Sequence, residues 1–132
     1  MDIKVAVFED NKLIREALQA IINGTSGFVC TGTFANVNQV EADILFSKPD
    51  VVLMDIEMPD IDGLEATRFI RHLAYFKKLP IIALTAHKRE DVLTKALDAG
   101  MNGVISKPFE MDELLSTISL ATTLSTTDDV EI

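Results

Sequence analysis

Short apolar runs alternate with helical stripes along the whole chain. Ile3 to Phe8 is a run rich in β-branched residues that stops at Glu9-Asp10-Asn11. From Leu13 the period changes. Leu13, Ile14, Ala17, Leu18, Ile21 and Ile22 form one helical stripe, with Gly24 as a stop signal. Phe28 to Phe34 reads as a strand whose Thr31 and Thr33 face away from the apolar side, as suits a sheet edge. Val37, Val40, Ile44 and Leu45 predict a second helix, ended by Lys48-Pro49-Asp50. Val51 to Met54 is continuously apolar and stops at Asp55, and Glu57 to Gly63 reads as a loop. Leu64, Ile70 and Leu73 share one face of a third helix. Ile81 to Leu84 is a further buried strand, preceded by Pro80 and ended at Thr85. A fourth helix covers roughly Arg89 to Ala99, with Gly100 beyond it. Gly103 to Ser106 is a short strand closed by Lys107-Pro108, and Asp112 to about Thr123 forms the last helix.

Five β–α repeats in strict alternation predict an α/β fold. Strands that are apolar on both faces call for a parallel sheet covered by helices on both sides. Right-handed crossovers leave few topologies. The flavodoxin-like, doubly wound five-stranded order 2-1-3-4-5, with five helices, puts the alternating second strand at an edge, as its pattern asks. Residues 1–124 form one domain on this reading, and the polar, acidic stretch 125–132 is a tail or the start of a linker.

Composition narrows the function classes. A length of 132 residues, 48% hydrophobic and 25% charged, is enough for one self-sufficient core. The net charge of −9 argues against direct nucleic-acid binding and against anionic membranes. The lone Cys30 can form no internal disulfide and reads as a small core hydrophobe. No apolar run approaches the roughly 18 residues of a membrane span, and no signal-peptide pattern opens the chain, so a cytoplasmic protein is expected.

Polar residues collect at one place in this pattern. Ligands of an open α/β sheet sit beyond the C-terminal ends of its strands. There the first strand presents Glu9 and Asp10, the third Asp55, the fourth Thr85, and the fifth leads to Lys107. Taken singly these residues have ordinary readings. Asp10 or Asn11 can cap the first helix, Thr85 can be a turn residue and Lys107 a solvated lysine. Together they predict a cleft in which clustered carboxylates raise one another's pKa unless a cation intervenes. Such oxygen ligands suit Mg²⁺, which binds one or two carboxylates plus phosphate. A carboxylate there can act as a nucleophile and form an aspartyl phosphate; Asp55, between the acidic side and the Lys107 side, is the candidate.

These motifs resemble those of the receiver domains of two-component response regulators. Glu9-Asp10-Asn11 resembles the family's acidic pocket. Met54-Asp55-Ile56-Glu57-Met58-Pro59, followed by Gly63, resembles its phosphoacceptor segment, and Thr85-Ala86 and Lys107-Pro108-Phe109 resemble its remaining motifs. The resemblance covers roughly Asp2 to Ala121. It implies Mg²⁺ held by Glu9, Asp10, Asp55 and the backbone carbonyl of Glu57. It implies transfer of a phosphoryl group to Asp55 from a sensor histidine kinase or a phosphotransfer protein, with Thr85 and Lys107 sensing that group and moving the output face. The small Ala86 suits access by the phosphoryl group. On this reading the chain is no ordinary enzyme but catalyses its own phosphorylation and dephosphorylation. Homodimerisation on phosphorylation, through the fourth helix, fifth strand and fifth helix, is compatible with it. One departure is Val104, where many receivers carry Tyr or Phe three residues before the lysine; valine has no polar tip and few rotamers.

Glu57 and His87, two residues beyond Asp55 and Thr85, are expected to border the approach of water to an aspartyl phosphate. Rival readings fit less well. A flavodoxin's phosphate would be repelled by Glu9 and Asp10, and aromatic residues are few. Asp60, Asp62 and Gly63 lack the other ligands of a calcium loop. A phosphatase with its nucleophile on the first strand would want Asp-x-Asp there. The alternative from a different class is a pseudo-receiver, an interaction module not regulated by phosphorylation.

Overall fold

The computed structural model describes residues 1–58, 62–87 and 89–130. Pro59, Asp60, Ile61 and Lys88, and the end of the expected tail at 131–132, lie outside them.

Five strands, β1 (Ile3–Phe8), β2 (Phe28–Phe34), β3 (Val51–Asp55), β4 (Ile81–Thr85) and β5 (Gly103–Ser106), make one sheet in the order β2-β1-β3-β4-β5. Every pairing is parallel. The expected topology is therefore the observed one. Five α-helices cover it: α1 (Lys12–Asn23), α2 (Val40–Ser47), α3 (Gly63–His72), α4 (Glu90–Ala99) and α5 (Met111–Val130).

The period-two rule sorts each strand's side chains onto two cores. Ala6 and Phe8 of β1, Val52 and Met54 of β3, and Ile81 and Ala83 of β4 pack on one face, with Val40, Ile44, Ala66, Ile70 and Ala96 of α2, α3 and α4. Their neighbours Val5, Val7, Val51, Leu53, Ile82 and Leu84 pack on the other face, with Leu18 and Ile22 of α1 and Leu114 and Ile118 of α5. β3 and β4 are buried at every position, which is why their sequences do not alternate. The two edge strands are the less buried ones, and β2 is half-buried throughout.

Some expected core positions are not core. Leu13 is 78% exposed and Ala17 is exposed, because this side of α1 faces a shallow apolar pocket shared with Pro108 and Phe109 rather than the sheet. Leu45 is half exposed; it lines an open groove between α2 and α3, while Val40 and Ile44 take the sheet-facing side. α2 carries apolar residues around most of its circumference, so its stripe was ambiguous. Val37 is buried but precedes the helix. A 3-10 turn at Ala74–Phe76 was not foreseen. The last helix passes its expected end near Thr123 and runs to Val130.

Pairing register aligns the strand ends. Phe8 pairs with Met54, Asp55 with Leu84, and Thr85 with Ser106. Each of Glu9, Asp55, Thr85 and Lys107 thus stands at the same rim of the sheet. One glycine keeps this rim compact. A Cβ on Gly63 would fall 2.3 Å from the Asp55 carbonyl oxygen, so only glycine lets α3 start against the end of β3. At the opposite end of the sheet, Gly100 closes α4 at φ 105°.

Candidate functional site

The rim holds two groups of polar side chains. On the β1–β3 side, Glu9, Asp10 and Asp55 each offer a carboxylate oxygen, and these oxygens lie within 4.8 Å of one another. Glu9 and Asp55 are almost wholly buried, and Asp10 is exposed. Burying two carboxylates is expensive unless they are paired and hydrogen-bonded. Glu9 Oε2 accepts the Asn11 N–H (3.0 Å), and its Oε1 accepts from Lys107 Nζ (3.1 Å). Asp55 Oδ1 accepts the Glu57 N–H (2.9 Å) and lies 3.4 Å from the same Lys107 nitrogen. One ammonium therefore serves two buried acids, with a third acid alongside.

The electrostatic consequence is plain. Burial, assisted by Asp10 and Glu9, pushes the Asp55 carboxyl up to about 7, although the Glu57 N–H pulls it the other way. Burial alone would lower Lys107, but the Asp55 and Glu9 carboxylates outweigh it and raise the ammonium's pKa. Charge on this side is unbalanced in a way a cation would relieve.

Local structure frees these groups for chemistry. Asn11, not Asp10, caps α1: its side chain accepts the Ile14 N–H at 3.1 Å. Asp10 is left facing the cleft. Arg15, one turn into α1, donates to the backbone carbonyls of Glu9 (2.8 Å) and Asp10 (3.3 Å) and so fixes the acidic turn. Sequence reasoning missed Arg15, since a single arginine on a helix reads as a solvated side chain. Lys107 is placed by its own N–H, which donates to the Thr85 carbonyl at 2.7 Å, and its peptide bond to Pro108 is cis.

On the β4 side the chemistry is different. Glu57 Oε1 accepts from the Ala86 N–H (2.6 Å) and lies 3.2 Å from Thr85 Oγ1. Glu57 Oε2 lies 3.4 Å from His87 Nε2. Thr85 Oγ1 accepts the His87 N–H at 3.0 Å, and its single proton can serve Glu57 or the His87 carbonyl, each 3.2 Å away. The Glu57 side chain is thus turned away from the acidic trio, and only its backbone stays beside Asp55. Val104 is half-buried against the α2–α3–α4 core together with Val92.

The response regulator receiver domain family matches residues 5–119, most of the chain. The chain belongs to the response regulator receiver family. It is 34% identical over 118 residues to the transcriptional regulatory protein KdpE of Staphylococcus aureus, covering 89% of this chain and 49% of that protein. It is 37% identical over 117 residues to the DNA-binding transcriptional regulator NtrC of Salmonella typhimurium, covering 89% of this chain and 24% of that protein. The chain thus spans half or less of these curated relatives. Among solved structures, the response regulator domain of Thermotoga maritima CheB superposes with a TM-score of 0.83 at 28% identity, covering 93% of this chain and 98% of that one. The chemotaxis protein CheY4 of Vibrio cholerae gives 0.84 at 25% identity, covering 92% and 99%. Receiver domains work with histidine kinases or phosphotransfer proteins. No helix among the described residues is long and apolar enough to cross a membrane.

Proposed function

We propose that this receiver domain accepts a phosphoryl group on Asp55 in a Mg²⁺-dependent reaction. The observation that carries the reading is the shared ammonium: Lys107 Nζ lies against both Glu9 and Asp55, two members of a trio of carboxylates. A buried acid that is crowded by two others and tied to one lysine is a poor structural ion pair. It is a good phosphoacceptor if a cation and a phosphoryl group complete it.

The residues fit Mg²⁺. The trio supplies hard oxygen donors with excess negative charge, and the Glu57 carbonyl is the expected fourth protein ligand. Bound there, Mg²⁺ would offset the carboxylates and the charge of the arriving phosphoryl group. In the transfer itself an Asp55 carboxylate oxygen attacks the phosphorus of a phosphohistidine. The O–P bond forms, the P–N bond breaks, and its electron pair returns to the imidazole nitrogen. Lys107 keeps its charge at the transferred group, and the Thr85 hydroxyl donates one hydrogen bond to it.

The receiver unit takes up 1–124 on this reading, with 125–132 as tail or linker, in a cytoplasmic protein. Dimerisation on phosphorylation would use the face of α4, β5 and α5. The half-buried Val104 leaves no inward-turning aromatic, so the switch would run through Thr85 and α4.

The experiment is intact mass after incubation with acetyl phosphate and Mg²⁺. Wild type should gain one phosphoryl group and Asp55→Asn none. Equal labelling of both would refute Asp55 as acceptor. No labelling of wild type, by acetyl phosphate or by a phosphorylated kinase domain, would favour the pseudo-receiver.

A further inference from the structure

The Thr85 hydroxyl and the Ala86 N–H converge on one oxygen of Glu57, at 3.2 Å and 2.6 Å. Two donors from successive residues, aimed at a single anionic oxygen, are the elements of an oxyanion seat. They stand at the end of β4, the strand next to the one that ends in Asp55. The chain fills this seat with its own carboxylate, and His87 flanks the second oxygen at 3.4 Å. The arrangement is local. Glu57 is reached from Asp55 through one intervening residue, and its N–H donates back to Asp55 Oδ1 at 2.9 Å. The carboxylate is therefore tethered within reach of the group that Asp55 would carry.

We propose that Glu57 is an internal competitor of the phosphoryl group, its carboxylate occupying the Thr85–Ala86 seat until an aspartyl phosphate displaces it. This rests on the reading of Asp55 as phosphoacceptor and adds the specific competition. A phosphoryl oxygen and the Glu57 carboxylate both need the same two donors. The Thr85 proton serves one acceptor at a time, and so does the Ala86 proton at this length. Displacement swings Glu57 toward solvent and frees His87 from it. Emptying the seat in advance must then strengthen binding of any phosphoryl-like anion at Asp55. Charge repulsion alone would also be relieved by removing Glu57, so the two causes are separated by length. Glu57→Asp keeps the charge but shortens the arm by one methylene, whereas Glu57→Ala removes both.

Two readouts test this. The first needs no phosphoryl chemistry: hydrogen exchange of the Ala86 N–H, followed by NMR in the full chain. It should accelerate about tenfold in Glu57→Ala and in Glu57→Asp, with other β4 amides unchanged. The second is NMR titration with beryllium fluoride in the presence of Mg²⁺, with Asp55→Asn as the blank. Both variants should bind about tenfold or more tightly than wild type. Unchanged Ala86 exchange in both variants would overturn the contact. Affinities of both variants within twofold of wild type would overturn the competition. Glu57→Asp behaving like wild type while Glu57→Ala binds tightly would assign the effect to charge and also overturn it. Binding absent from wild type and every variant would overturn the phosphoacceptor reading, and the competition with it, whatever the exchange rates show.

Discussion

The two halves of the cleft handle carboxylates in opposite ways. On the β4 side a single carboxylate, Glu57, is half exposed and has a hydroxyl, an N–H and an imidazole around it. On the β1–β3 side two buried carboxylates share Lys107, and the exposed Asp10 stands beside them. The first arrangement is satisfied as it stands. The second is short of positive charge, and burial beside Asp10 and Glu9 pushes the Asp55 carboxyl up to about 7. The same side-chain chemistry is therefore balanced in one half and, on the proposed function, reactive in the other. The deciding difference is that Glu57 is open to solvent, while Glu9 and Asp55 are buried with one ammonium between them.

Removing Lys107 should break the contrast most strongly. Lys107→Met leaves two buried carboxylates without their common cation, a loss of about 3–5 kcal/mol in metal-free protein. Urea unfolding with and without Mg²⁺ checks this, and Mg²⁺ should return part of the loss. A cost below about 1 kcal/mol would mean that the acidic half is already neutral.

Neutralising Asp55 should act in the opposite direction. Its folded pKa of about 7 lies above the ordinary carboxylate value, so the folded protein binds a proton more tightly than the unfolded chain. This group therefore destabilises the fold progressively from about pH 4 to pH 7, and stability rises again as pH falls through that window. Asp55→Asn removes the penalty. At pH 8, without metal, it should be more stable than wild type by about 2–4 kcal/mol, shrinking to roughly a third of that at pH 5. A variant less stable than wild type at pH 8 would contradict the crowding.

The satisfied half should respond weakly. Thr85→Val loses the hydroxyl between Glu57 and His87 and should cost about 1 kcal/mol, with the Mg²⁺ response intact. Loss of that response would show that the two halves are not separate.

How far the chain could be read follows the same logic of local against distant causes. The strands were legible because β3 and β4 are apolar at every position, and their ends were legible because a polar residue interrupts each run. Asp55 and Thr85 were recognisable as candidates from that position alone. Assigning the α1 cap to Asn11 rather than Asp10 needed side-chain geometry, since both residues precede the helix and both can cap. Leu13 and Leu45 were misplaced because helical spacing fixes a face but not what covers it. The partnership of Glu57 with Thr85 and Ala86 joins residues far apart in the chain, and no spacing rule pointed to it. The sequence suggested only that the Glu57 side chain borders the site, and the family resemblance that its backbone carbonyl faces the cation.

On the proposed function, the β1–β3 half requires a cation and Asp10 helps to hold it. Thermal melting of wild type and Asp10→Asn, each with and without Mg²⁺, tests it most directly. Mg²⁺ should raise the wild-type melting temperature by mass action, because it binds the folded trio and not the unfolded chain. Asp10→Asn should lose most of that rise and, without metal, melt no lower than wild type, since it carries one acid fewer. A wild type indifferent to Mg²⁺, or an Asp10→Asn variant that keeps the whole rise, would contradict the account.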